Sequence, residues 1–431
     1  MLMNENNEVL EDIEQRAILV GMSLGRDEYD IEESMNELRE LTLAAHAEVA
    51  GSLIQNKDRV DPTFFIGKGK VEEVRLACEI NDANIVIFND ELSGAQIRNL
   101  ENALDMKVID RTALILDIFA VRAKTRIAKL QVELAQLRYR LPRLQGLGAS
   151  MSRTGAGIGT RGPGEQKLEL DKRRIRERMS EIQRQIRDAG QTREVQRTKR
   201  DKNEIPIVAV VGYTNAGKST LMNKVLELTN EEDVSDRQVF VKNMLFATLD
   251  TYSRNISLDE NRSFILVDTV GFVSKLPHSL VEAFKATLEE VNEADLLIHV
   301  VDASNEHQAM QMAVTNQVLE EIGAGNKKMI FAHNKIDLVG EEVQVLRENA
   351  YKTSALSGEG LKDLLDGIVS EIFTDILTAT FLVPYDKGRF LSEICDAGKV
   401  LNTEYLEEGT SVTVELHQKD FNKYKEFSVG E

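Results

Sequence analysis

Only two cysteines occur among 431 residues, Cys78 and Cys395, far apart in the chain. Neither a disulfide framework nor a zinc cluster can be assembled from them within one chain. Two buried structural thiols in a reducing compartment, the cytoplasm, are the expectation. Long apolar runs are missing as well. None approaches the ~18 residues that a membrane span requires, which excludes a transmembrane helix. The opening stretch, MLMNENNEVLEDIEQR, is acidic and lacks the basic-then-apolar layout of a signal peptide. An overall excess of positive charge is also absent, for the formal net charge is −19, which at first speaks against a nucleic-acid partner. What remains is an ordinary globular balance, 42% apolar and 29% charged, in a chain long enough for about three domains.

The charge is unevenly placed. Residues 121–200 carry 21 Lys and Arg against 8 Asp and Glu, a net of +13 that leaves −32 for the rest. Such asymmetry marks a basic arm or face on an acidic body, although a solvated Arg-rich hairpin accounts for the charge alone equally well. Before this region, short β-type runs alternate with amphipathic stretches, the pattern of an α/β domain. Arg16–Leu24 and Ala83–Asn89 read as strands; Ile31–Ala47, Val71–Ile80 and Gly94–Leu104 read as helices. Gly67-Lys68-Gly69-Lys70 could hold an anion, since glycine lets backbone N–H groups approach a phosphate, but it lacks the spacing of a nucleotide loop, and a strand-to-helix turn is the expectation. From Leu116 through Ala120, Ala123, Ile127, Leu130, Leu134, Leu137 and Leu141, apolar residues recur alternately at four and three, a heptad seam expected to end at Pro142. A second seam, Leu168, Ile175, Met179, Ile182 and Ile186, completes an antiparallel, coiled-coil-like hairpin. Its connector, Gly146 to Gly164, is Gly-rich and basic. Glycines let a backbone follow an irregular polyanion, so Arg153 and Arg161 are the candidate RNA contacts.

After the hairpin, Ile205–Val211 is a near-continuous apolar run, as in a buried parallel strand. Strands at Ser263–Val267, Leu296–Val301 and Lys328–Ala332, each followed by a loop and a helix, make a doubly wound, mostly parallel α/β domain. The tail reads as a strand (Ala379–Val383), a helix (Phe390–Val400) and strands around Ser411–Leu416 and Tyr424–Ser428. The expected organisation is therefore a small α/β domain (1–112), a basic helical hairpin (113–203), a P-loop domain (204–374) and a small α+β domain (375–431).

The P-loop assignment rests on Gly212-Tyr213-Thr214-Asn215-Ala216-Gly217-Lys218-Ser219, which matches G-x-x-x-x-G-K-[ST] directly after the apolar strand and at the head of a helix. Its glycines let successive N–H groups converge on a β-phosphate, and the helix N-terminus adds partial positive charge. Lys218 reaches the β/γ-oxygens, and the Ser219 hydroxyl is a ligand for Mg²⁺. Asp268-Thr269-Val270-Gly271 ends the strand SFILV; the acid holds magnesium through water, and the Gly271 N–H meets the γ-phosphate. Asn334-Lys335-Ile336-Asp337 then supplies a carboxylate that accepts from guanine N1–H and its 2-amino group, a pair adenine lacks. Ser354-Ala355-Leu356 offers backbone N–H groups to the base carbonyl. The order of these motifs implies GTP as substrate and GDP as product. Between the P-loop and Asp268, the segment Met244-Leu245-Phe246-Ala247-Thr248-Leu249-Asp250-Thr251 is read as a switch, with Thr248 completing the Mg²⁺ shell and Thr251 the alternative. Lys218, Thr248 and Gly271 are the expected catalytic groups. Phe272 stands where many GTPases place a water-orienting Gln, which implies slow intrinsic hydrolysis. His299 and His333 read as core or backbone-bonded histidines rather than catalytic ones.

These motifs, with FIGKGKVEEV, VIDRTALILDIFAVRAKTRIAKLQVELAQLRYRLPRL, GIGTRGPGE and FATLD, resemble the HflX family of ribosome-associated GTPases over nearly the whole chain. The resemblance implies binding to the large ribosomal subunit and its rRNA, and a role in splitting or rescuing stalled ribosomes under stress. A monomer off the ribosome is expected. Two departures stand out: Glu165-Gln166-Lys167-Leu168-Glu169 where members commonly read E-T-Q-L-E, and Thr251 where FATLD is commonly followed by Pro. A GTP-gated RNA-binding or assembly scaffold, in which hydrolysis is incidental, is the alternative from another class. Ribosome-stimulated turnover separates the two.

Overall fold

The computed structural model describes residues 15–25, 30–144, 163–201, 205–229, 252–258, 262–277, 290–339 and 349–429, with side chains of the 163–201 helix described from 168 to 189. No helix among the described residues is long and apolar enough to cross a membrane.

The N-terminal sheet is all parallel, in the order β2-β1-β3-β4, from β1 (Arg16–Ser23), β2 (Glu48–Asn56), β3 (Ile85–Phe88) and β4 (Lys107–Asp110). Alternation along β1 sends Ala17 and Leu19 to one face and Ile18, Val20 and Met22 to the other, as the two-residue period of a strand requires. The first face is covered by α1 (Ile31–Ala44), α4 (Arg111–Arg122) and part of α5 (Arg126–Arg143); the second by α2 (Lys68–Ile80) and α3 (Gly94–Leu104). Gly67 caps α2 with extended backbone, and Lys68-Gly69-Lys70, expected as a strand-to-helix turn, are instead the first residues of that helix.

The first heptad seam is not one helix. It breaks at Ala123, whose backbone is extended, and restarts at Thr125, whose side chain accepts from the Ala128 N–H as an N-cap. Capping satisfies a donor that a continuous helix would have satisfied internally, so the heptad spacing alone did not reveal the break. By packing, α4 belongs with the N-terminal sheet, although the sequence division places it in the hairpin. α5 then serves two neighbours. Ala128, Val132 and Ala135 join the sheet core, while Leu130 and Leu134 meet Ile182 of α6 (Pro163–Asp201). Pro142 sits inside the last turn of α5, one residue before the helix ends.

The central domain carries a six-stranded sheet, order β10-β9-β8-β5-β7-β6. Its members are β5 (Ile207–Gly212), β6 (Tyr252–Ser257), β7 (Ser263–Asp268), β8 (Leu296–Asp302), β9 (Met329–Asn334) and β10 (Ala350–Lys352). Only β6 runs antiparallel, against β7. The helices α7 (Lys218–Thr229), α8 (Gln308–Ile322) and α9 (Leu361–Ile372) flank it. The molecule is thus mostly α/β, with a doubly wound P-loop domain as expected.

The tail forms a three-stranded antiparallel sheet, β11 (Ile376–Val383), β12 (Gly398–Leu406) and β13 (Gly409–His417), with α10 (Gly388–Ala397) and α11 (Gln418–Tyr424) over one face. Two expectations are corrected here. The helix read as Phe390–Val400 stops at Ala397, and its last residues belong to β12. Tyr424–Ser428, read as a strand, is the end of α11 and a 3-10 turn; Tyr424 and Phe427 point into the core from helical backbone.

Candidate nucleotide site and its interdomain frame

The P-loop leaves the C-terminal end of β5 beside β8 and β7, where an open α/β sheet forms its ligand crevice. Its glycines answer to close approaches. Gly212 has φ +146°, and a Cβ there would stand 2.3 Å from the Val300 carbonyl oxygen. Gly217, at φ +95°, would place a Cβ 2.2 Å from Asn334 Nδ2. That second approach has a purpose, because Asn334 Nδ2 donates to the Ala216 carbonyl at 2.9 Å and its Oδ1 accepts from the Ala355 N–H at 2.9 Å. One amide, 1% exposed, joins the P-loop to both base-side loops.

Lys218 opens α7 with its ammonium turned inward, donating to the carbonyls of Tyr213 at 2.7 Å and Gly212 at 3.1 Å. Burial pushes its pKa down to about 8, with Lys335 pushing the same way and Asp268 opposing. The Ser219 hydroxyl donates to Asp268 Oδ2 at 2.6 Å, and Thr269 donates to the Val210 carbonyl at 2.6 Å, fixing the strand end. A Cβ at Gly271 would lie 2.8 Å from Lys218 Nζ and 2.8 Å from Thr214 Cα and Cγ2. Gly271 therefore stands at the corner shared by lysine and P-loop. Phe272 is 3% exposed among Val291 and Leu297; its backbone pairs with the P-loop, accepting from Thr214 N–H at 2.7 Å.

On the base side, Lys335 has φ +65° and an ion pair with Asp302 at 2.6 Å. Asp337 Oδ1 accepts from the Ser354 hydroxyl at 2.6 Å. Ser354 and Ala355 are buried, whereas Leu356 is 77% exposed. His299 is buried against Phe331, with ring centroids 5.4 Å apart, as expected of a core histidine. The structure therefore brings together Gly212–Ser219, Asp268–Gly271, Asn334–Asp337 and Ser354–Leu356. Phe246–Asp250, with Thr248, lie outside the described residues, as do Thr251, Arg153 and Arg161.

Sequence reasoning missed an interdomain frame around this site. Val270 and Val273 sit in the N-terminal core with Leu38, Leu41 and Ile115. The Tyr213 hydroxyl donates to Glu37 of α1 and accepts from the Ser274 N–H at 2.7 Å. Arg111, 2% exposed at the head of α4, pairs with Glu37 and donates to Ser274 Oγ at 3.1 Å and Asn89 Oδ1 at 2.9 Å. Lys275 pairs with Asp90 at 2.6 Å. Burial beside the Glu37 carboxylate holds the Tyr213 phenol well above its ordinary pKa, so it stays protonated and able to donate. A cleft of about 240 Å³ runs between α1 and the P-loop, lined in part by Glu33, Glu40, Thr214, Asn215 and Asp302.

The preceding residue, Asp110, faces the other way. Fully buried, it accepts from the Leu92 N–H at 3.0 Å, from Tyr139 at 2.8 Å and from Arg143 at 3.1 Å, the last two from the end of α5 where the Gly-rich connector begins. Asp110 and Arg111 thus hold the root of that connector and the segment after Gly271 from consecutive positions. Nothing local in the sequence marks such contacts, which join residues up to 237 positions apart.

The chain is similar to known proteins over most of its length. Three family models match in succession: a GTP-binding GTPase N-terminal region over residues 32–120, a GTP-binding GTPase middle region over 122–200, and a 50S ribosome-binding GTPase over 207–335. A GTPase HflX of Caldanaerobacter subterraneus is 48% identical over 93% of this chain and 91% of its own. The GTPase HflX of Escherichia coli is 38% identical over 94% of each. Among solved structures, a GTP-binding protein from Sulfolobus solfataricus in complex with GDP is 23% identical, with a TM-score of 0.44 over 84% of this chain and 99% of that one.

Proposed function

The chain belongs to the HflX family of GTPases, and from that premise we propose that it binds the large ribosomal subunit through rRNA and couples its GTP cycle to splitting, rescue or recycling of ribosomes under stress. The chain is a GTP phosphohydrolase with a ribosome-binding type of GTPase domain. The coupling is carried by one observation. The basic hairpin is packed on the same small domain whose Glu37 and Arg111 hold Tyr213 of the P-loop and Ser274 after Gly271.

In the assigned site the β-phosphate lies in the Gly212–Ser219 cradle, Lys218 turns to the β/γ-oxygens, and Asp337 reads the guanine edge. Ser219 and Asp268, 2.6 Å apart, are the oxygen donors that would hold Mg²⁺, which would neutralise phosphate charge. Thr248 is assigned as the second hydroxyl ligand. Gly271, at the lysine corner, reports the γ-phosphate to Val273 and Ser274, and these press on the N-terminal domain. Arg153 and Arg161 are assigned to rRNA. The protein acts in the cytoplasm and is a monomer off the ribosome.

Cosedimentation with 70S, 50S and 30S particles, in a non-hydrolysable GTP analogue and in GDP, tests this reading. Analogue-dependent binding to 50S and conversion of 70S into subunits is the expected outcome. Tight analogue-gated RNA binding, without turnover or subunit separation, would replace it with the scaffold reading.

A further inference from the structure

The Phe272 side chain has no polar atom, and its ring is packed among Val291 and Leu297, so another group must orient the attacking water. Three polar side-chain groups of the P-loop already have partners. The Tyr213 hydroxyl is held between Glu37 and Ser274, the Lys218 ammonium by two carbonyls, and the Ser219 hydroxyl by Asp268. The Thr214 hydroxyl differs. Thr214 is 6% exposed, and its Oγ1 is buried with no hydrogen-bond partner among the described residues. A buried hydroxyl without a partner is costly, and in native proteins such a group calls for a ligand, a water or a catalytic role. Its surroundings name the role. Thr214 abuts Gly271 through its Cα and its Cγ2 methyl, at the corner that Lys218 Nζ also borders. One χ1 step exchanges that methyl with the hydroxyl on the same Cβ, at the corner where the γ-phosphoryl group and its attacking water belong in the assigned site.

We infer that Thr214 is a catalytic residue whose hydroxyl orients the attacking water, the task that Phe272 cannot perform; this rests on the placement of GTP given above. The water oxygen bonds to the γ-phosphorus as the bond to the β–γ bridging oxygen breaks. The electron pair leaves with GDP, and the water proton ends on a γ-phosphoryl oxygen to give inorganic phosphate. Thr214 transfers no proton. It holds the water in line by hydrogen bonding, and loss of such positioning costs about 10²-fold in rate.

Single-turnover hydrolysis of GTP by the full chain, with and without ribosomes, tests the assignment in Thr214→Val, Thr214→Ser and Lys218→Ala, alongside fluorescent-GDP and GTP-analogue affinities. Valine keeps the shape and removes the hydroxyl; it should slow the chemical step about 10²-fold while GDP and analogue affinities stay within about twofold. Serine should restore the rate to within about threefold of the parent. A parental rate in Thr214→Val, a serine variant as slow as valine, or a parallel loss of GDP affinity in both Thr214 variants would overturn the inference. Lys218→Ala should lose GDP binding; if it does not, the nucleotide placement itself fails, independently of Thr214.

Discussion

Asp337 shows how much a single side chain decides. Ser354 holds one of its oxygens at 2.6 Å, leaving the carboxylate oriented to accept from a purine edge. Asp337→Asn places a donor where guanine also presents donors, so GTP binding should weaken by about 2–4 kcal/mol. The amide suits the 2-oxo group of xanthine, and preference should move toward xanthosine nucleotides. Competition between the two triphosphates for the variant checks this, and parental GTP affinity would show that Asp337 does not read the base. Residues of this kind are legible in a sequence because each motif is a short local pattern, even though the contacts that require Gly212 and Gly217, with Val300 and Asn334, are distant in the chain. Glu37, Arg111 and Ser274 obey no such local rule. Arg111 and Ser274 meet across 163 positions, and a buried arginine at the head of a helix is indistinguishable in sequence from a solvated one.

Elements were read well where one face is apolar and poorly where packing overrides pattern. β5 and β8 are buried on both faces, β7 and β9 fully on one and partly on the other, and all four announce themselves as apolar runs. β2 and β12 do not, being half-buried or exposed along their length. The break between α4 and α5 follows the same logic, for heptad spacing continues across it while the residues change partners from sheet to hairpin. The first turn of α4 carries its own prediction. Arg111→Ala would strand Glu37 beside Tyr213 without its cation, and breaking a buried pair from one side costs about 3–5 kcal/mol. Arg111→Met combined with Glu37→Gln removes both charges and should regain much of that loss. Urea unfolding of the parent, the single variant and the double variant measures it; a loss below about 1 kcal/mol in Arg111→Ala would show that α4 does not fasten the two domains through this pair.

At the scale of the whole molecule the charge is divided by task. A net of +13 over residues 121–200 is carried by a body of −32, so only the hairpin region has the sign to displace counterions from rRNA phosphates. Ribosome affinity should therefore fall steeply with salt, with a logarithmic slope of about −0.7 to −0.9 for each phosphate neutralised. Replacing Arg153 and Arg161 with Ala should flatten that slope by up to about two such contacts and lower affinity at every salt concentration. GTP affinity should not change, because neither residue lies in a nucleotide motif. The body makes the sign of the effect specific: −32 repels rRNA, and screening that repulsion alone would raise affinity with salt rather than lower it. Binding measured over a salt series decides between them. An unchanged slope in the double variant would move the RNA contact away from the Gly-rich connector. Ribosome-stimulated hydrolysis should fall together with binding, since Glu37 and Arg111 tie the hairpin's own domain to the P-loop and to Ser274. A GTPase rate indifferent to ribosomes would uncouple the two ends of the molecule.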